Sequence, residues 1–201
     1  MTTHSHPPRA AVSPDLVREA ALDLFARQGY HGTAMSEIAA ALGIRTPSLY
    51  NHMQSKQQLL AEIIDGTTRA VWADYEAAIT GHADVTSRLH AAAEVYALRH
   101  ATHPREAVIV NRDVSSLAEP LRTEVRTLRR RHERAIRRLI QEGCTDGSFS
   151  VTEPALASFG ILELCVSIAH WFRPDGRLSA EQVAAHYAEF AVRIACDGHE
   201  R

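Results

Sequence analysis

Gly43-Ile44-Arg45-Thr46-Pro47-Ser48-Leu49-Tyr50-Asn51-His52-Met53-Gln54-Ser55-Lys56 is the stretch that decides the fold. It follows an apolar helical segment ending at Leu42, and a glycine at position 43 permits a tight turn. Pro47 suits the first position of a new helix, with Thr46 as its cap. Leu49 and Met53 stand four residues apart and point inward, which leaves Ser48, Tyr50, Asn51 and His52 largely outward. A short helix carrying hydroxyls, an amide and basic neighbours suits docking in the major groove of DNA.

The residues on either side fit that reading. Ser13-Pro14 starts a first helix with a stripe at Leu16, Val17, Ala20, Leu24 and Phe25, and Gly29 stops it. Thr33 caps a second helix that buries Ile38, Ala39 and Leu42. The second and third helices, joined by Leu42-Gly43-Ile44-Arg45, make a helix-turn-helix. In such a unit the N-terminal residues of the second helix meet base edges; here these are Arg45, Thr46, Pro47 and Ser48. Arg45 can hold a guanine or a phosphate, and Pro47 with the Thr46 methyl can pack on a thymine methyl. Tyr50, Lys56 and Thr33 are candidates for phosphate contacts, with His31 and His52 as weaker ones. A plain three-helix packing unit would account for any one of these residues, but not for the ordered set.

Helical periodicity continues beyond residue 55. A long helix begins at Ser55 or Lys56, with Leu59, Leu60, Ile63, Ile64, Thr67, Val71 and Tyr75 on one face, and Gly81 ends it. A fifth helix is expected over about 84–100, burying Leu89, Ala92, Val95 and Tyr96. Pro104 opens a shorter one, and a further turn falls over 114–118. Pro120 opens a long helix with Leu121, Val125, Leu128, His132, Ala135, Ile136 and Leu139 on one face, broken at Gly143 and over 144–148. The last two helices are expected over 154–172 and 179–196, the second capped by Ser179. The chain therefore reads as all-α, with about nine helices and a division near residue 55.

On these residues, the segment 12–60 resembles the TetR family of bacterial repressors. Phe25 and Gly29 close the first helix as in that family. Thr33, Ile38-Ala39, Gly43-Ile44, Leu49-Tyr50, His52 and Ser55-Lys56 follow in the family's order. Arg45 stands where the family often has a capping serine, and Met53 where phenylalanine is usual. The resemblance implies a homodimer, sequence-specific operator binding and a second domain that binds a small effector and releases the DNA. It divides the chain into a disordered tail at 1–11, a TetR-type helix-turn-helix domain at 12–58 and an effector-binding and dimerisation domain at 59–201.

Trp171-Phe172-Arg173-Pro174-Asp175-Gly176-Arg177-Leu178-Ser179 is similar to the corresponding segment of TetR-type regulators of fatty-acid and sterol breakdown, the KstR-two subgroup among them. That resemblance covers about 117–195 and implies an acyl-coenzyme A thioester as effector. A polar or basic residue one turn before the tryptophan would help hold such a ligand, and here it is Ser167. Trp72, Tyr96, His100, Asn111, Phe159, Ser167 and Trp171 are the effector-site candidates, set against ordinary core packing. Tyr75, Arg112 and His170 belong to the same wider set. The arginines from Arg122 to Arg138 can form a phosphate-binding wall for coenzyme A, or a solvated flank paired with Glu124, Glu133 and Glu142. The small residues of helices 154–172 and 179–196 suit a four-helix dimer interface, whose two-fold symmetry would match a palindromic operator.

Composition limits the alternatives. The 201 residues carry 22 basic and 24 acidic side chains, a formal charge of -2, which leaves room for a small docking face but not a basic coat. Lys56 is the sole lysine; the other basic residues are all arginine. Cys144, Cys165 and Cys196 are scattered and odd in number, so neither a disulfide framework nor a zinc site is expected. The spacing His100-x-x-His103 is too loose to suggest a metal, and no cofactor is implied. No apolar run nears the roughly 20 residues of a membrane span, and a cytoplasmic setting without membrane contact is expected. Two other readings stay open: a drug- or metabolite-responsive regulator of efflux, and a helical acyl-CoA-binding enzyme. The second would need a nucleophile–base pair or paired carboxylates in recognisable array.

Overall fold

A computed structural model describes residues 12–196; the expected tail at 1–11 lies outside the described residues. Among the described residues there is no strand. The helices are α1 (Pro14–Gln28), α2 (Met35–Ala41), α3 (Thr46–Leu49), α4 (Lys56–Ile79), α5 (Val85–Thr102), α6 (Pro104–Asp113), α7 (Leu121–Asp146), α8 (Pro154–Trp171) and α9 (Ala180–Cys196), with a 3-10 turn at Val114–Ser116.

Local chemistry sets most boundaries. Ser13 Oγ accepts from Leu16 N at 3.3 Å, and Pro14 opens α1. The buried face of α1 is Val17, Ala21, Leu22 and Phe25, whereas Leu16, expected on the apolar stripe, is exposed. Gly29, at φ +86°, takes the chain out of α1. Ser55 Oγ accepts from Gln58 N at 3.1 Å and caps α4. Ser179 and Gln182 cap α9 reciprocally: Gln182 N donates to Ser179 Oγ (3.3 Å) and Ser179 N to Gln182 Oε1 (2.9 Å).

Three expectations need correction. Thr33 does not cap α2. Its hydroxyl turns back to donate to Gly29 O at 2.8 Å, and the residue is 1% exposed. The free N–H before α2, that of Ala34, is instead taken by Glu37 Oε2 at 2.7 Å. That bond chiefly holds the Glu37 carboxyl below its ordinary range. Thr46 lies inside α3; Arg45 occupies the cap position and makes no side-chain capping bond. Gly143 does not break α7, which runs on to Gly147 at φ +82°. Gly143 is small for a packing reason: a Cβ there would lie 2.1 Å from Phe149 Cδ2.

The buried side chains form three groups. The first joins Val17, Phe25, Ile38 and Leu49 to Leu60, Ile63 and Ile64 of α4, and reaches Ile109 of α6, Leu117 and Val125. The expected division at 58–59 thus falls within α4, whose first turns complete this core. The second group packs Tyr75, Leu89, Ile136, Ile140, Phe149 and Ile161. The third lies between α5, α8 and α9 at Ala97, Cys165, Ile168 and Val183. Helix α8 spans 18 residues at mean hydropathy 1.3, the length and apolarity of a membrane-crossing helix. The sequence shows no unbroken apolar run there because Ser158, Glu163, Ser167 and His170 interrupt it, but the average over the helix reaches that level; one side packs on α5, α7 and α9 while Leu156, Phe159, Leu164 and Trp171 stay exposed.

Candidate functional site

Helix α3 is anchored from beneath and bare above. Leu49 is fully buried and Met53 nearly so, which seats the turn on the first core. Arg45, Pro47, Ser48, Tyr50 and Asn51 are exposed, while Thr46 and His52 are half-buried. Among the described residues, the side chains of Arg45, Ser48 and Tyr50 have no hydrogen-bond partner within the chain. The face is therefore free to exchange water for an external partner.

Two expected phosphate residues lie elsewhere. Thr33 is buried, as described above. Lys56 is half-buried, and its ammonium donates to Tyr30 O (2.8 Å) and Thr33 O (2.7 Å) while sitting 4.4 Å from the centre of the Tyr30 ring. It ties the loop between α1 and α2 to the start of α4, so most of its donor capacity is used internally.

A cavity of about 380 Å3 opens between α4, α5, α6, α7 and α8. Trp72, Tyr96, His100, Asn111 and Phe159 line it, as expected of effector-site residues. Ser167 and Trp171 do not. Ser167 Oγ donates to Leu164 O at 2.6 Å, and Trp171 is nearly half exposed, against Phe172 and Tyr187. The sequence offered Arg129 and Arg130 only within the whole arginine series, Glu133 only as its partner, and His132 as packing, yet all four line the cavity. A histidine in the middle of the apolar face of α7 was the available signal.

The wall is graded in polarity. Thr67, Thr68, His100, His132 and Ala107 are buried, whereas His103, Asn111, Arg130, Phe159 and Glu163 are exposed at the mouth. His100 Nδ1 bonds Tyr96 O at 2.8 Å. The rings of His100 and His132 flank Tyr96 edge-on at 4.4 and 5.0 Å. Burial lowers both imidazoles to about 4, so both are neutral at pH 7. Burial likewise raises the Tyr96 phenol. At the mouth Arg129 donates to Val110 O and Asn111 Oδ1, each at 2.9 Å.

Helix α6 lies against both regions. Ala107, Val110 and Asn111 line the cavity. Arg112 donates to the carbonyls of Phe25 and Ala26 at the end of α1, and pairs with Asp113 at 2.8 Å. Arg105 reaches Glu19 (3.1 Å) and Asp23 (3.3 Å) of α1. Just beyond α6, Ser116 receives Gln57 Nε2 on its carbonyl at 3.2 Å, and its hydroxyl bonds His31 at 2.9 Å.

A bare helix-turn-helix face on an all-helical body with its own cavity defines a DNA-binding transcriptional regulator rather than an enzyme. Residues 17–63 match the family described as bacterial regulatory proteins, tetR family, and residues 82–195 match the tetracyclin repressor-like C-terminal domain. The chain belongs to the tetR family. It is 27% identical to the HTH-type transcriptional repressor KstR2 of Rhodococcus jostii, over 86% of this chain and 85% of that protein. The TetR family regulator PfmR of Thermus thermophilus superposes at TM-score 0.77 with 32% identity, covering 92% of this chain and 99% of that one. AibR, solved in complex with isovaleryl coenzyme A and operator DNA, gives TM-score 0.77 and 26% identity, covering 88% of this chain and 96% of that one.

Proposed function

We propose that the protein is a homodimeric repressor that leaves a two-fold operator when a hydrophobic effector, an acyl-coenzyme A thioester of lipid or sterol breakdown, fills the cavity. Residues 12–58 serve as the reading head and 59–201 as the effector and dimer domain. Arg45, Thr46, Pro47 and Ser48 meet base edges; Tyr50 and His52 meet phosphates. Lys56 holds the head in shape. The protein acts in the cytoplasm, where its operator is.

The observation that carries this reading is α6, which lines the cavity with Asn111 and holds the end of α1 with the next residue, Arg112. A ligand that favours one placement of α6 has unequal affinity for two placements of the head, and that difference is what lowers operator affinity. The effector class is supported by a mostly apolar wall with arginines at the mouth, and by the KstR2 and AibR relatives. Dimerisation is supported by the exposed apolar side chains of the helices expected at 154–172 and 179–196.

Mobility shift on the protein's own promoter DNA tests the reading, with acyl-CoAs of graded chain length added to the preformed complex. Expected is a salt-sensitive, sequence-specific shift that one class of acyl-CoA reverses. A shift indifferent to sequence defeats the regulator reading; a specific shift that no acyl-CoA reverses defeats the effector class.

A further inference from the structure

The apolar wall of the cavity carries a few polar groups at its inner end. Because Tyr96 O can only accept, His100 Nδ1 carries the proton of that bond, and Nε2 of the neutral ring is left as an acceptor. Among the described residues Nε2 has no partner. The ring is 5% exposed and lines the cavity. Across Tyr96 stands His132, 7% exposed, with its Nε2 buried and unpartnered. Among the described residues the hydroxyls of Tyr96 and Thr67, on the same wall, also have no partner. His132 Nε2 is closed off from the cavity, whereas His100 Nε2 and the hydroxyls of Tyr96 and Thr67 open on one space, where a single ligand atom can satisfy them.

The required chemistry follows from the inventory. His100 Nε2 needs a donor. Tyr96 and Thr67 can each donate to an acceptor. A hydroxyl is both. A ketone or ether leaves His100 unpaired. A carboxylate sets lone pairs against the His100 lone pair and leaves it unpaired. The guanidinium groups of Arg129 and Arg130 sit at the other, open end, which suits an anionic portion of the same molecule.

We infer that the cavity takes an apolar ligand bearing a hydroxyl group at its buried end, with His100 as the acceptor and Tyr96 or Thr67 as the donor. The inference rests on the reading of this cavity as the effector site.

Titration calorimetry with n-octanol, its isomer heptyl methyl ether, and octanoate tests it on the unaltered protein. The alcohol is expected to bind about 10- to 100-fold more tightly than either of the others, because the ether and the carboxylate leave the His100 acceptor unpaired. His100→Phe is expected to abolish that preference while ether binding persists, which also shows that the variant folds. Equal affinity for alcohol and ether, or a preference for octanoate, overturns the hydroxyl subsite and leaves the cavity reading intact. Absence of binding by all three overturns both.

Discussion

Asn111 and Arg112 are consecutive residues of α6 that serve different sites: the Asn111 amide oxygen accepts from Arg129 at the cavity mouth, while Arg112 closes the C-terminal end of α1 through the carbonyls of Phe25 and Ala26. One peptide unit separates the ligand wall from the reading head. A helix is stiff over such a distance, so α6 cannot shift at one site without shifting at the other.

Arg112→Ala is therefore expected to weaken both stability and coupling. It removes the arginine bonds to the Phe25 and Ala26 carbonyls, of which Phe25 O keeps only Gly29 N, and leaves the buried carboxylate of Asp113 without its partner. The cost is roughly 2 kcal/mol, since the arginine itself is partly exposed. A fall in melting temperature on the order of 5 °C should accompany it. In mobility shift the variant should still bind operator but need more effector for release. A variant that melts and releases like the parent removes α6 from the coupling path.

On the proposed reading Arg45 meets bases and Tyr50 a phosphate, and two substitutions separate those roles. Arg45→Ala should change which bases are preferred near the centre of each half-site, at about 1–3 kcal/mol for the favoured base. Tyr50→Phe should weaken binding on operator and random DNA alike, by removing one phosphate contact. Binding curves on a set of single-base operator variants distinguish the two. Equal losses on operator and random DNA for Arg45→Ala would remove its base-reading role.

Lys56 shows how far the sequence could be read. Twenty-one of the 22 basic residues are arginine, and the lone lysine occupies the one site where a compact ammonium fits between the carbonyls of Tyr30 and Thr33. Its presence was legible as a signal; its partners were not, because they lie 26 and 23 residues away. The same division holds elsewhere. Caps at Ser13, Ser55 and Ser179 act over three residues, so those helix starts could be read directly. The Thr33 hydroxyl had two local acceptors to choose from, a helix start ahead and Gly29 O behind, and only the packed structure decides. In the cavity, Trp72, Tyr96, His100, Asn111 and Phe159 were visible as polar or aromatic residues on apolar helices. Arg129 and Arg130 were hidden among eight arginines of α7, since nothing local tells which turn of a helix faces a gap.

Lys56→Arg follows from that geometry. A planar guanidinium cannot reproduce an ammonium that meets two carbonyls and a ring face at once. The substitution keeps the charge, so a purely electrostatic phosphate role would survive it. Expected instead is a loss of roughly 1–2 kcal/mol in stability of the head, read as earlier hydrogen exchange in α1 and α2. Unchanged exchange protection together with unchanged DNA affinity would show that Lys56 works as a charge alone.

The two cavity histidines give stability a pH dependence of known sign. Each has a folded-state value of about 4 against an ordinary 6.5, chiefly through burial. Between those values the unfolded chain takes up protons that the folded chain refuses. Their contribution is thus complete above about pH 6.5 and is lost as pH falls toward 4. At 1.36 kcal/mol per pKa unit the loss is roughly 3 kcal/mol per ring. The lowered carboxyls of Glu37, Asp84 and Glu119 titrate below this range, so the interval from 6.5 to 5 belongs to the histidines. Melting temperature should drop across that interval in the parent and stay flatter in His132→Phe. A parent curve without slope there would contradict neutral, buried rings.

Trp171, Tyr187 and Phe190 make a continuous aromatic strip on the outer side of α8 and α9, with ring centres 6.2 and 5.7 Å apart. Trp171 and Phe190 are 47% and 41% exposed, and Leu156 and Leu164 are exposed further along α8. A patch of that size is costly to leave in water, and a two-fold axis would set it against its own copy. Phe190→Glu places two carboxylates near that axis, where like charges oppose each other and neither is solvated. Sedimentation equilibrium should show a dimer for the parent and a monomer for the variant, with helix content unchanged because Phe190 supports no core. Operator binding should fall steeply as well, since a monomer reads one half-site and forgoes the second. A variant that remains dimeric and binds operator normally would place the interface on another face of the molecule.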